Sequence, residues 1–265
     1  MTELFRKILT RGGRFVLEFH GVSNLHIGKL PYEILPNLTP NDLKRILVWL
    51  QSRNISFLSA SEFLSSTKAG VLMTFDDGLA NFHTNAFPLL MAHSVPAVIF
   101  VTTQHVQQPN NWIHPYPLIV EKNFSRSDPC YEQSISELFN GLSVEQISEI
   151  SMNSLITIGS HTVTHPLLTK ITGVELEYEL SASKDFLQDI TGKEINLLAY
   201  PTGDYDERVV HATIRAGYRA AFAEYSRKLG NPTFEIPRVG IYSSASHYLA
   251  AKLSGIYMKP LRSPF

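Results

Sequence analysis

Asp76 and Asp77 stand side by side directly after an apolar run, VLMTF at 71–75. Two adjacent acids at a buried strand end are costly unless a cation satisfies them. Asp and Gly are also ordinary turn residues, so Asp76-Asp77-Gly78 by itself reads first as a cap and a turn. The chain holds ten histidines, and His161 and His165 are four apart. On a helical turn that spacing puts both imidazoles on one face, within reach of one ion. In a chain this rich in histidine the spacing also arises by chance. Together the two signals sharpen. One carboxylate and two imidazoles form a three-ligand set that leaves a divalent metal open to water. The second carboxylate is then placed to act as base on that water, which makes the predicted chemistry metal-dependent hydrolysis.

The elements that must position these groups alternate strand and helix. Strands are predicted over 14–19, 71–75, 96–102, 155–159, 195–200, 218–223 and 238–242, from short apolar runs. Helices are predicted over 81–93, 174–190 and 207–216, with another opening at Thr39-Pro40 and a last one near Ser246. Gly192 and Gly217 read as helix stops, and Asp206 as a cap. The stretch 104–142 reads as a long irregular insertion with some helix after Ser136. Polar residues gather where strands end: His20, Asp76-Asp77, His161 and Thr202-Gly203. A parallel barrel and an open doubly wound sheet both place active sites there, and periodicity alone does not choose between them. The length, 265 residues, suits one large α/β barrel, which runs to roughly 250 residues, so residues 1–265 are read as a single domain.

Composition excludes other classes. Net charge is -1, which argues against nucleic acid as a partner. Cys130 is the only cysteine, so no internal disulfide can form. No apolar run approaches the roughly 20 residues of a membrane span. The opening MTELFRKILTRGGR has no signal-peptide core and no small-residue cleavage site, which predicts a cytoplasmic chain. Leu4, Phe5, Ile8 and Leu9 share a helical face beside Arg6, Lys7, Arg11 and Arg14. That pattern reads as a terminal helix docked on the domain, or as a weak, peripheral membrane-surface association.

The motifs resemble those of the polysaccharide deacetylases of carbohydrate esterase family four, the group that includes chitooligosaccharide, chitin and peptidoglycan deacetylases. Thr74-Phe75-Asp76-Asp77-Gly78 matches that family's first motif in full, and Ser160-His161-Thr162-Val163-Thr164-His165 its second. Phe19-His20-Gly21-Val22 is similar to the opening strand of one branch, and Tyr200-Pro201-Thr202-Gly203 to its Tyr-Pro-x-Gly third motif. Ala216-Gly217-Tyr218-Arg219-Ala220-Ala221-Phe222 and Ile236-Pro237-Arg238-Val239 continue the resemblance, which runs from about 15 to 255 with gaps in the insertion.

The resemblance implies a distorted, incomplete (β/α) barrel and hydrolysis of an N-acetyl group on an amino sugar. It makes Asp76 the base and Asp77, His161 and His165 the ligands of a metal, usually zinc, with cobalt or nickel as substitutes. The oxyanion donor becomes the Thr202 amide, which suits a position just after Pro201. Many members carry a third-motif arginine that pairs with the base; here Ala199 stands in its place. Arg238 is the candidate to orient Asp76 instead. The fourth-motif tryptophan is missing, and His247 lacks the setting of the usual fifth-motif histidine. His20 is therefore the candidate acid for the leaving amine. Trp112 and Tyr116 read as cover for the core or as sugar-stacking rings. The expected substrate is an N-acetylated oligosaccharide, polysaccharide or lipid-linked precursor of a surface polysaccharide. O-acetyl ester hydrolysis, N-formyl hydrolysis and an inactive glycan-binding barrel are the alternatives.

Overall fold

The structure is a computed structural model, and it describes residues 13–25, 38–108, 125–127 and 129–254. The N-terminal amphipathic pattern, Trp112 and Tyr116 lie outside the described residues. Eight strands form one parallel sheet: β1 (Arg14–Phe19), β2 (Gly70–Phe75), β3 (Ala97–Val101), β4 (Ile156–Ser160), β5 (Leu197–Ala199), β6 (Ala220–Ala223), β7 (Ile236–Pro237) and β8 (Val239–Gly240). Their order is β7-β6-β5-β4-β3-β2-β1-β8. This is a nearly closed barrel with one seam, between β7 and β8. Those two strands are consecutive, with Arg238 alone between them. One short segment therefore bonds β6 with its first half and β1 with its second.

The described helices are α1 (Pro40–Gln51), α2 (Ala60–Ser65), α3 (Phe87–Ala92), α4 (Thr103–Gln107), α5 (Tyr131–Phe139), α6 (Val144–Met152), α7 (Gly173–Thr191), α8 (Glu207–Arg215) and α9 (Ser246–Leu253). None of the described helices is long and apolar enough to cross a membrane. Thr39 caps α1 in a capping box with Asp42, and Pro40 sits in the first turn. Ser59, Ser143 and Thr172 cap α2, α6 and α7 in the same way. Asp206 caps α8, and Gly192 ends α7 at φ 64°.

Alternation along the strands sorts the core into two layers. Leu17, Phe19, Met73, Phe75, Ile99, Val101 and Leu198 pack outward against the helices. Val16, Leu72, Val98, Phe100, Leu197, Ala199, Ala220, Phe222 and Ile236 fill the barrel, joined by Leu58, Ala60 and Phe63 around α2. Phe100 and Phe222 meet at 5.3 Å between ring centroids. A Cβ on Gly159 would lie 2.5 Å from the Phe100 ring, so glycine is what lets that ring occupy the interior.

Three expectations change. The helix expected over 81–93 is a π turn, Phe82–Ala86, followed by α3. Pro88 lies in the first turn of α3, and its missing N–H suits a break in the ladder there. The insertion carries α4 and α5, the latter beginning at Tyr131 rather than after Ser136. The last strand, expected over 238–242, is the two-residue β8, and β7 precedes it unexpected, because the barrel changes pairing partner at Arg238.

Candidate active site

Strand alternation carries the inward column past the apolar layer to the mouth. On β1 it runs Val16, Glu18, His20; on β2, Leu72, Thr74, Asp76. Glu18 lies beside Thr74 in register, and the Thr74 hydroxyl donates to Leu17 O at 2.9 Å. Asp77 and Gly78 both adopt positive φ, 70° and 69°. That turn sends Asp77 back toward the mouth instead of outward, and a Cβ on Gly78 would meet Val101 at 2.9 Å. Asn81 accepts from the Val22 N–H at 3.0 Å, and Asn85 donates to Val22 O at 2.8 Å. The segment after Asp76-Asp77 thus fixes the loop after His20.

His161 and His165 come together, but not on a helix. Residues 161–165 form a loop in which Thr162 and His165 have φ of 69° and 59°. Glu179 on α7 holds this loop: its carboxylate accepts from the Val163 and Thr164 amides at 2.8 and 2.9 Å and from the Thr164 hydroxyl at 2.6 Å. The imidazole centroids are 4.8 Å apart. His161 Nδ1 lies 2.8 Å from Ala199 O. A carbonyl can only accept, so Nδ1 carries the proton and Nε2 is left with its lone pair.

Asp77 Oδ1 lies 3.6 Å from His161 Nε2 and 3.8 Å from His165 Nε2. All three donors fall within 4.8 Å of one another. Tetrahedral coordination with bonds of about 2.0–2.1 Å puts ligand atoms roughly 3.4 Å apart, so this donor set fits a divalent transition metal. Burial, with His161 alongside, pulls the His165 imidazole down to about 4 against the opposing pull of Asp77. The ring is therefore neutral, as a ligand must be.

Asp76 faces a different partner. Arg238 Nη1 and Nη2 donate to its two oxygens at 2.6 and 2.7 Å, and these side chains are 1% and 3% exposed. Burial pushes the Asp76 carboxyl up, but the Arg238 guanidinium, helped by His161, overrides it and holds the group at about 2. Arg238 itself rests over the Phe100 ring, 5.7 Å from its centroid. His20 lies with its Nε2 4.0 Å from Glu18. Burial lowers the His20 imidazole, yet Asp77, Glu18 and Asp76 together outweigh it and raise it.

Of the predicted site residues, Asp76, Asp77, His20, His161, His165 and Arg238 form one cluster. Thr202 lies in the turn Pro201–Gly203 after β5, exposed, at φ 55°. Its N–H donates to no described group. His247 is exposed at the start of α9. Three carboxylates escaped sequence reasoning. Glu18 places an acid inside the apolar run of β1, RFVLEF, which was a usable signal. Glu179 gave none, being on a distant helix. Glu224 follows β6 at the rim, where burial and Glu18 push its carboxyl up to about 7.

What these residues define together is a parallel α/β barrel with a three-donor cluster able to hold a divalent metal and a guanidinium-clamped second carboxylate beside it. A family model described as polysaccharide deacetylase matches residues 65–221. The chain belongs to the polysaccharide deacetylase family. It is 24% identical over 220 residues to the poly-beta-1,6-N-acetyl-D-glucosamine N-deacetylase of Staphylococcus aureus (strain MRSA252), covering 80% of this chain and 70% of that one. Its fold is similar to that of the Streptococcus pyogenes deacetylase PplD in complex with acetate, at TM-score 0.68 and 20% identity, covering 93% of this chain and 98% of that one. It is similar in the same way to a polysaccharide deacetylase from Bacillus cereus, at TM-score 0.69 and 23% identity, covering 91% and 68%.

Proposed function

We propose that the chain hydrolyses the N-acetyl group of an amino-sugar unit in a glycan, releasing acetate and a free amine. The observation that carries this reading is the bidentate Arg238–Asp76 pair beside the Asp77, His161 and His165 donors. The family and the N-acetylglucosamine polymer named for the staphylococcal relative support an N-acetylglucosamine-containing substrate.

Asp77, His161 and His165 would hold the metal, zinc by donor type, with cobalt or nickel able to replace it. When bound, such an ion polarises the acetyl carbonyl and makes water a nucleophile near neutral pH. Asp76 takes the proton of the attacking water. Arg238 keeps that carboxylate ionised and aimed, and the same contact lowers its basicity. The Thr202 N–H supplies a donor for the developing oxyanion. His20, its imidazole raised by the surrounding carboxylates, delivers a proton to the nitrogen as the C–N bond breaks.

The test is acetate release from N-acetylglucosamine oligomers, with metal content measured on the same samples. The parent should release acetate and carry about one ion per chain. Asp76→Asn should keep its metal and lose about 10²–10⁴-fold in kcat. His161→Ala should lose both. Formate release, or release from O-acetylated sugars alone, would move the reading to a deformylase or an esterase. No turnover by a metal-loaded parent on any of these donors would leave a glycan-binding barrel.

A further inference from the structure

We propose that Glu18 is a positioning residue of this site, whose single carboxylate couples the His20 imidazole to the Arg238–Asp76 pair. The inference rests on the hydrolytic reading above. Glu18 is 6% exposed at an inward barrel position, between Val16 of the apolar filling and His20 in its column. A carboxylate buried there is heavily penalised unless cationic or donor groups face it. Two do. Arg238 Nε lies 3.7 Å from Glu18 Oε2, and His20 Nε2 lies 4.0 Å from Oε1. Thr74, its neighbour in register, spends its hydroxyl on Leu17 O.

The arrangement divides one guanidinium between two acids. Asp76 takes both Nη atoms, which leaves Nε as the buried donor of Arg238 without a hydrogen bond. Glu18 faces that atom. An arginine held on two sides cannot turn about its own axis, so the fork presented to Asp76 is fixed in direction as well as in charge. The other oxygen of Glu18 looks toward His20. Separations of 3.7–4.0 Å exceed a hydrogen bond, and catalytic contacts of this kind tighten in the substrate complex. Glu18, His20 and Asp76 also lie close enough together to suggest a second metal site. Arg238 excludes that use, because its positive charge already occupies both Asp76 oxygens.

The experiment is a double-mutant cycle on the metal-loaded protein with Glu18→Gln, His20→Asn and the pair, using N-acetylglucosamine oligomers. Glu18→Gln should lower kcat about tenfold or more, leave KM within about twofold, and retain the ion. The double variant should be no slower than His20→Asn. Full kcat in Glu18→Gln, multiplicative losses in the double variant, or loss of the ion would each overturn the proposal. Thermal unfolding of the same four proteins reads the coupling without substrate. Shifts in Tm that fail to add support it even if the parent hydrolyses none of the donors; additive shifts overturn it. Glu18→Met fills the site without a carboxylate and replaces Glu18→Gln if that variant does not fold. Failure of both to fold overturns the proposal, since the carboxylate is then part of the scaffold.

Discussion

His165 and Asp76 sit a few ångströms from a common neighbour and respond to acid over different ranges. Unfolded His165 titrates near 6.5 and the folded side chain near 4. Between those values the unfolded chain binds the extra proton, so the metal-free protein loses stability as pH falls through that window. His165→Gln should flatten this part of the curve, measured as Tm against pH in the presence of a chelator. Asp76 acts in the same direction at lower pH. Its carboxyl is depressed from 3.8 to about 2, so its share of stability is present above 3.8 and lost below it. Arg238→Met removes the group responsible. Burial is then opposed only by the neighbouring His161 and His20, and the acid limb of the kcat/KM profile should move to higher pH. Stability should fall by about 3–5 kcal/mol, because a buried charge loses its partner; urea unfolding of the two proteins checks it. The sequence disclosed these residues because each ends an apolar run or sits in a dense motif. It did not disclose Glu18 or Glu179, whose partners are set by strand register and by a helix packing 15 and 16 residues downstream.

At the level of elements, the loop 161–165 depends on α7. Glu179 supplies three acceptor contacts to it, and two of the loop's residues hold a left-handed backbone that few side chains favour. Glu179→Ala should release the loop and weaken metal affinity about 10–100-fold, read by competition with a chelating dye. The strands were legible as apolar runs, with bounds off by a residue or two. The helical turn expected between His161 and His165 was wrong for an instructive reason. A spacing of four suits a helix, but Thr162 and His165 adopt positive φ, and nothing in their composition announces it. The helices α2 and α6 were missed although Ser59–Glu62 and Ser143–Gln146 carry readable capping boxes.

The whole molecule is organised around an interior filled to the level of Phe100 and Phe222, with chemistry above it. Gly159→Ala tests how closely that filling is matched. The added methyl must displace the Phe100 ring, on which Arg238 rests. Stability should fall by about 1–3 kcal/mol, followed by thermal or urea unfolding, with kcat reduced alongside. Parallel pairing itself was legible from the strand–helix alternation. Of the closing segment, β8 was legible within 238–242 and β7 was not, since a two-residue strand leaves almost no pattern. That segment has a consequence in time as well as in space. Asp76 and Arg238 are 162 residues apart, and β8 is the strand that reaches back to β1. A chain emerging from the ribosome therefore displays Asp76 and the Asp77, His161 and His165 donors before Arg238, the partner of Asp76, has been made. Contacts of such long range form late and slowly. The same few residues that finish the barrel also supply the partner of the Asp76 carboxylate, so that buried charge waits for its counter-ion until synthesis has passed residue 238.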